Sequence, residues 1–79
     1  NEYKDILVYK NANNQICIDL KSELNKVQNI AVYNAMGQRI TETKPMQANT
    51  ILNVAFETGV YFVKLNIDNK TITRKVIIK

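Results

Sequence analysis

Seventy-nine residues make one small domain, near the lower limit at which a chain buries enough surface to fold unaided. No histidine and a single cysteine, Cys17, exclude an internal disulfide and a Cys/His zinc site. Eleven Lys and Arg against seven Asp and Glu give a net charge of +4, spread without a run, which argues for a solvated surface and against a nucleic-acid partner or a membrane patch.

No segment looks like a signal peptide, and no apolar stretch is long enough to cross a bilayer. The chain opens at Asn1 without a methionine and reads as a fragment or processed piece, one domain over 1–79 with residues 1–5 as a linker from an upstream domain. Ile6-Leu7-Val8-Tyr9 makes a first strand, ended by Asn11-Ala12-Asn13-Asn14. In Gln15–Leu20, Ile16, Ile18 and Leu20 share one face and Gln15, Cys17 and Asp19 the other. Lys21–Lys26 is polar and reads as a loop or one short helical turn. Asn29–Asn34 is a third strand, followed by Asn34-Ala35-Met36-Gly37 as a type I turn closed by glycine at positive φ. Arg39–Thr43 returns as a polar-faced strand until Pro45 marks an edge or a loop. Thr50–Val54, Val60–Ile67 and Thr71–Lys79 complete the set, the last two joined by Asp68-Asn69, which tolerate the left-handed conformation of a tight hairpin.

Seven short strands with regular turn signals predict an all-β fold, an antiparallel β-sandwich of the immunoglobulin-like class. The expected core is Ile6, Val8, Ile16, Ile18, Leu20, Ile30, Val32, Ile40, Ile51, Val54, Tyr61, Val63, Leu65, Val76 and Ile78. Apolar residues on both faces, Val60 and Phe62 against Tyr61, Val63 and Leu65, place the last two strands centrally in a sheet.

Catalytic chemistry is nearly absent from the sequence. Asp5, Asp19, Glu23, Glu42, Glu57 and Asp68 fall on turns or polar strand faces and read as solvated charge. Cys17 lacks a histidine partner and reads as a half-buried or surface strand thiol. Gly37 and Gly59, the only glycines, are too far apart for a phosphate-cradling loop and sit where turns demand them. Tyr3, Tyr9, Tyr33 and Tyr61 either line a sugar-binding face or pack; without clustering, packing is favoured. The reading is a non-enzyme with no cofactor and no metal.

Three segments in order carry a family likeness: Ile30-Ala31-Val32-Tyr33-Asn34-Ala35-Met36-Gly37-Gln38-Arg39-Ile40, then Gly59-Val60-Tyr61-Phe62-Val63-Lys64-Leu65, then Lys75-Val76-Ile77-Ile78-Lys79 at the end of the chain. Together they resemble the type A C-terminal sorting domain of the type IX secretion system of Gram-negative bacteria, from about Ile6 onward. Val8–Ala12 falls where that family often has a Tyr-Pro-Asn-Pro turn; Lys10 and Ala12 stand in place of the prolines, so a less rigid first connection is expected. The resemblance implies a non-catalytic signal that directs an upstream cargo protein through the periplasm and across the outer membrane, to the cell surface or the medium. Its implied partners are the outer-membrane translocon and a surface sortase that removes the domain and joins cargo to lipopolysaccharide. It implies that Gly37, Gly59 and Tyr61 maintain the fold and that Lys75, Val76, Ile77, Ile78 and Lys79 are the recognition element. An extended last strand offers backbone groups for strand addition and alternating side chains for specificity. The same lysines also fit a gatekeeping role against aggregation, and the resemblance favours recognition. Three other readings stay open: an immunoglobulin-like carbohydrate- or protein-binding module, a structural cap, and a homodimer through edge strands.

Overall fold

The alternation in the sequence becomes two antiparallel sheets that share one core. A computed structural model describes residues 3–54 and 56–79, so the first two residues of the linker expected over 1–5 lie outside the described residues. The order is β1 (Leu7–Lys10), β2 (Ile16–Asp19), a 3-10 helix (Lys21–Lys26), β3 (Val27–Asn34), β4 (Arg39–Thr43), β5 (Asn49–Ile51), β6 (Gly59–Ile67) and β7 (Lys70–Ile78). One sheet runs β1-β2-β5 and the other β4-β3-β6-β7. In the constant-type immunoglobulin sandwich the fourth strand joins the sheet of the first two; here β4 pairs with β3. The centre is filled by Ile16, Ile18 and Leu20 from the smaller sheet and Ile30, Val32, Val63, Leu65, Ile67 and Ile78 from the larger. Removing each such side chain from water is worth about 1.5–3 kcal/mol, and no buried polar side chain among the described residues lacks a partner.

Two of the turns are built alike. Asn11-Ala12-Asn13-Asn14-Gln15 and Asn34-Ala35-Met36-Gly37-Gln38 share Asn, Ala and Gln at the same spacing. In each, the Asn Oδ1 accepts two backbone N–H groups: those of Asn13 and Gln15 at 2.9 and 3.0 Å, and those of Met36 and Gln38 at 3.0 and 2.9 Å. Each Asn Nδ2 also donates to the Gln Oε1. The fourth position is left-handed in both, Asn14 at φ 58° and Gly37 at φ 84°, where Asn and Gly carry the least penalty. The first connection therefore takes its order from the Asn11 carboxamide, without the prolines at 10 and 12. Asp68 and Asn69, at φ 51° and 62°, make the two-residue hairpin turn between β6 and β7.

Several expectations need correction. Ile40 is 40% exposed because β4 bulges: Val32 faces Thr41 and Tyr33 faces Arg39, leaving Ile40 unpaired between them. Ile51 is 55% exposed because it pairs with Cys17 on the outer face of its sheet, and Leu52, whose N–H donates to the Ile16 carbonyl, enters the core instead. Cys17 is buried beneath its neighbours and is a free thiol. Of the last two strands only β6 is central; β7 forms the edge of its sheet. Val8 and Val54 are half-buried against the core. Core positions not expected are Tyr3, Val27, Phe56 and Ile67; Val27 turns inward because a register shift between Val27 and Asn29 resets the alternation.

Candidate recognition surface

The β6–β7 hairpin sets the geometry of the chain's end. Its pairs run from Ile67 with Lys70 at the turn to Gly59 with Ile78 at the open end. A two-residue turn makes the flanking pair a hydrogen-bonded one, so alternation points the backbone groups of Thr71, Thr73, Lys75 and Ile77 away from β6, along the open edge. Side chains alternate in the same step. Val76 and Ile78 are 5% and 1% exposed, locked into the core, while Lys75, Ile77 (48% exposed) and Lys79 face solvent. The five residues singled out from the sequence thus divide into two anchors and three displayed side chains.

Gly59 and Tyr61 lie directly across from this segment, paired with Ile78 and Val76. The Tyr61 hydroxyl donates to the Glu57 carbonyl at 2.7 Å, and its ring meets Phe56 edge-on at 5.1 Å. A tyrosine at the start of the penultimate strand, bonded back to the preceding corner, is the tyrosine corner of immunoglobulin-like sandwiches. Gly59 adopts φ 157°; a Cβ there would meet the Tyr61 ring only at 3.9 Å, so the backbone rather than space asks for glycine. Gly37 lies apart from this pair, in the β3–β4 turn. A second tie was not visible in the sequence. The Arg74 guanidinium of β7 donates to the Tyr3 carbonyl at 2.9 Å, and the Tyr3 hydroxyl donates to Asp68 Oδ2 at 3.0 Å, fastening the segment before β1 to the hairpin.

Among the described residues no group of three or more His, Cys, Asp or Glu is placed to hold a metal. Asp19 titrates below its ordinary value of 3.8, chiefly because its carboxylate accepts the Lys21 N–H, at 3.0 Å; the Lys21 ammonium at 3.2 Å adds to the effect. That arrangement holds Lys21 at φ 56° where the 3-10 helix begins, a structural task. The tyrosines do not form one face: Tyr3 and Tyr61 are core, Tyr9 lies on the outer side of the smaller sheet opposite Cys17, and Tyr33 lies on the larger sheet opposite Phe62.

Among known families, the model described as "Secretion system C-terminal sorting domain" matches residues 8–79. The match spans both sheets and runs through Lys75–Lys79. No curated protein matches the chain.

Proposed function

Because the chain belongs to the secretion-system C-terminal sorting domains, signals that mark an upstream cargo for export by the type IX system to the cell surface or the medium, we propose that the export machinery reads the displayed side chains of β7. The observation that carries this is the split within one strand: Val76 and Ile78 anchor it while Lys75, Ile77 and Lys79 stand free of the core. A receptor could then bind a preformed strand without first ordering it, which avoids the entropic cost that recognition of a flexible tail carries. The open edge adds backbone groups for strand addition. In this reading the domain folds in the periplasm, the outer-membrane translocon engages β7, and a surface sortase then removes the domain and joins cargo to lipopolysaccharide. The domain itself contributes shape and charge and no catalytic group.

The fold dictates how this is tested. Deleting residues 75–79 would remove two core side chains, and loss of each is expected to cost about 2–5 kcal/mol, so failed export would not separate recognition from unfolding. Ile77→Asp with Lys79→Glu alters only exposed positions. A reporter fused ahead of this variant should remain in the periplasm while the domain melts as the parent does. The edge position of β7 also favours the gatekeeper reading. If gatekeeping alone held, Lys75→Val with Lys79→Val would be exported yet would sediment as concentration-dependent dimers or larger species.

A further inference from the structure

The two outer faces of the sandwich differ in charge. On the smaller sheet, Leu7, Tyr9 and Ile51 are exposed around Cys17, and the carboxylate of Asp19 is paired with Lys21. On the larger sheet, Arg39, Lys64 and Lys75 share the face with, among the described residues, a single carboxylate, Glu42, which Arg39 holds at 3.2 Å and Asn29 also bonds. Among the described residues no carboxylate pairs with Lys64 or Lys75.

Beside Lys64 lies an open pocket of about 310 Å³ lined by Tyr33, Phe62, Lys64 and Thr73 and by Ala35 and Gly37 of the β3–β4 turn; Lys75 is the cross-strand partner of its Phe62 wall. Tyr33 and Phe62 are direct cross-strand partners, both half-exposed. Neither contributes to the core cluster. The Lys64 ammonium sits 4.7 Å above the Tyr33 ring centroid, which restrains a side chain that would otherwise lose rotamer freedom on pairing. It occupies one side of that ring and places a cation beside the pocket. Lys64 pairs with Thr73, and Lys75 lies two residues along β7 from Thr73. Such diagonal neighbours are about 7–8 Å apart, close to the roughly 6.6–6.8 Å between alternate side chains of an extended chain.

We propose that this face binds an extended acidic segment of a partner protein, with carboxylates two residues apart on Lys64 and Lys75 and an apolar side chain in the Tyr33–Phe62 pocket. The proposal rests on the sorting reading, which it deepens by adding a second contact beside the β7 edge. Lys75 belongs to both surfaces, whereas Lys64, Tyr33 and Phe62 belong only to this one. The charge contrast selects the occupant: among the described residues the opposite face has the apolar area with Asp19 paired to Lys21, and this face has apolar area and unpaired cations.

The test uses the 79-residue chain and a fluorescein-labelled peptide, Phe-Ser-Glu-Ser-Glu-Ser-Phe, followed by anisotropy and by amide chemical shifts. Saturable binding below millimolar concentration is expected, weakening as salt rises, with shifts centred on Tyr33, Phe62, Lys64 and Lys75. Lys64→Glu with Lys75→Glu should weaken it about tenfold or more and gain binding to the same peptide with lysines in place of the glutamates. No binding up to millimolar peptide at low salt, or shifts centred elsewhere, would overturn the proposal. Equal displacement of the peptide by inorganic phosphate or by phosphatidylglycerol vesicles would overturn the assignment to a protein segment. Failure here, with export still lost in Ile77→Asp/Lys79→Glu, would remove this face and leave the β7 reading intact. Peptide binding with normal export of that variant would do the reverse.

Discussion

Asn34 illustrates how single side chains hold this small domain in register. Its carboxamide orders an entire turn, accepting from Met36 and Gln38 and donating to the Gln38 side chain. Asn34→Ala should destabilise the domain by about 1–2 kcal/mol, since three hydrogen bonds, all exposed, are lost together; a urea titration reads this directly. Gly37 in the same turn has open space around it, so only its positive φ restricts it. Gly37→Asn should be nearly neutral, as Asn14 holds the equivalent place in the first turn, while Gly37→Val should cost about 1–2 kcal/mol. Asp19 supplies a pH-dependent contribution. Its folded pKa lies below the ordinary 3.8, so its stabilisation is complete above that value and is lost as pH falls through the lower, folded value. The difference in melting temperature between parent and Asp19→Ala should therefore be present at pH 5–7 and shrink toward zero as acid protonates the carboxylate. A difference that stayed constant down to pH 2 would contradict that role.

At the scale of elements, what was readable depended on whether alternation ran unbroken. β2 and β6 keep strict period two, and every inward residue expected there, Ile16, Ile18, Tyr61, Val63 and Leu65, is buried. The alternation fails where the backbone inserts a residue: at the β4 bulge, where Ile40 drops out of the core, and near Gln28, where Val27 enters it. A bulge leaves no mark in the residue types, so composition cannot reveal it. In β5 the strand stops at Ile51, and a one-residue error exchanged Ile51 for Leu52. The edge position of β7 was hidden for a different reason. Apolar residues on both faces resemble a central strand, but Ile77 is displayed, opposite Val60, on the outer face. The hairpin turn was legible from Asp68-Asn69 alone. Replacing Asn69 with Val, a branched side chain at φ 62°, should cost about 1–2 kcal/mol, measurable as a lower urea midpoint, whereas Asn69→Gly should not.

Across the whole molecule, the sandwich and its family were legible because turns, strand count and the ordered segments at 30–40, 59–65 and 75–79 agree, and the family match over 8–79 covers the same span. The surface was less legible. Which residues of 75–79 face outward follows from alternation, but the tie of Arg74 to Tyr3 and the meeting of Lys64, Tyr33 and Phe62 arise from pairing between distant segments. Those juxtapositions exist only once β3, β6 and β7 lie side by side. Their consequence is a domain with one neutral apolar face, one cationic aromatic face and an open edge that carries its most regular strand. If the export machinery reads β7 as proposed, it meets a preformed surface, and substitutions at exposed positions should separate the signal from the fold.

The central claim is that the displayed side chains of β7, rather than fold alone, direct export. The most direct measurement is surface display of a reporter fused to the domain in a bacterium with a type IX system, comparing the parent with Ile77→Asp/Lys79→Glu after confirming equal melting temperatures. Reporter at the surface for the parent and retained in the periplasm for the variant is the predicted result. Equal surface display of a folded variant would contradict it.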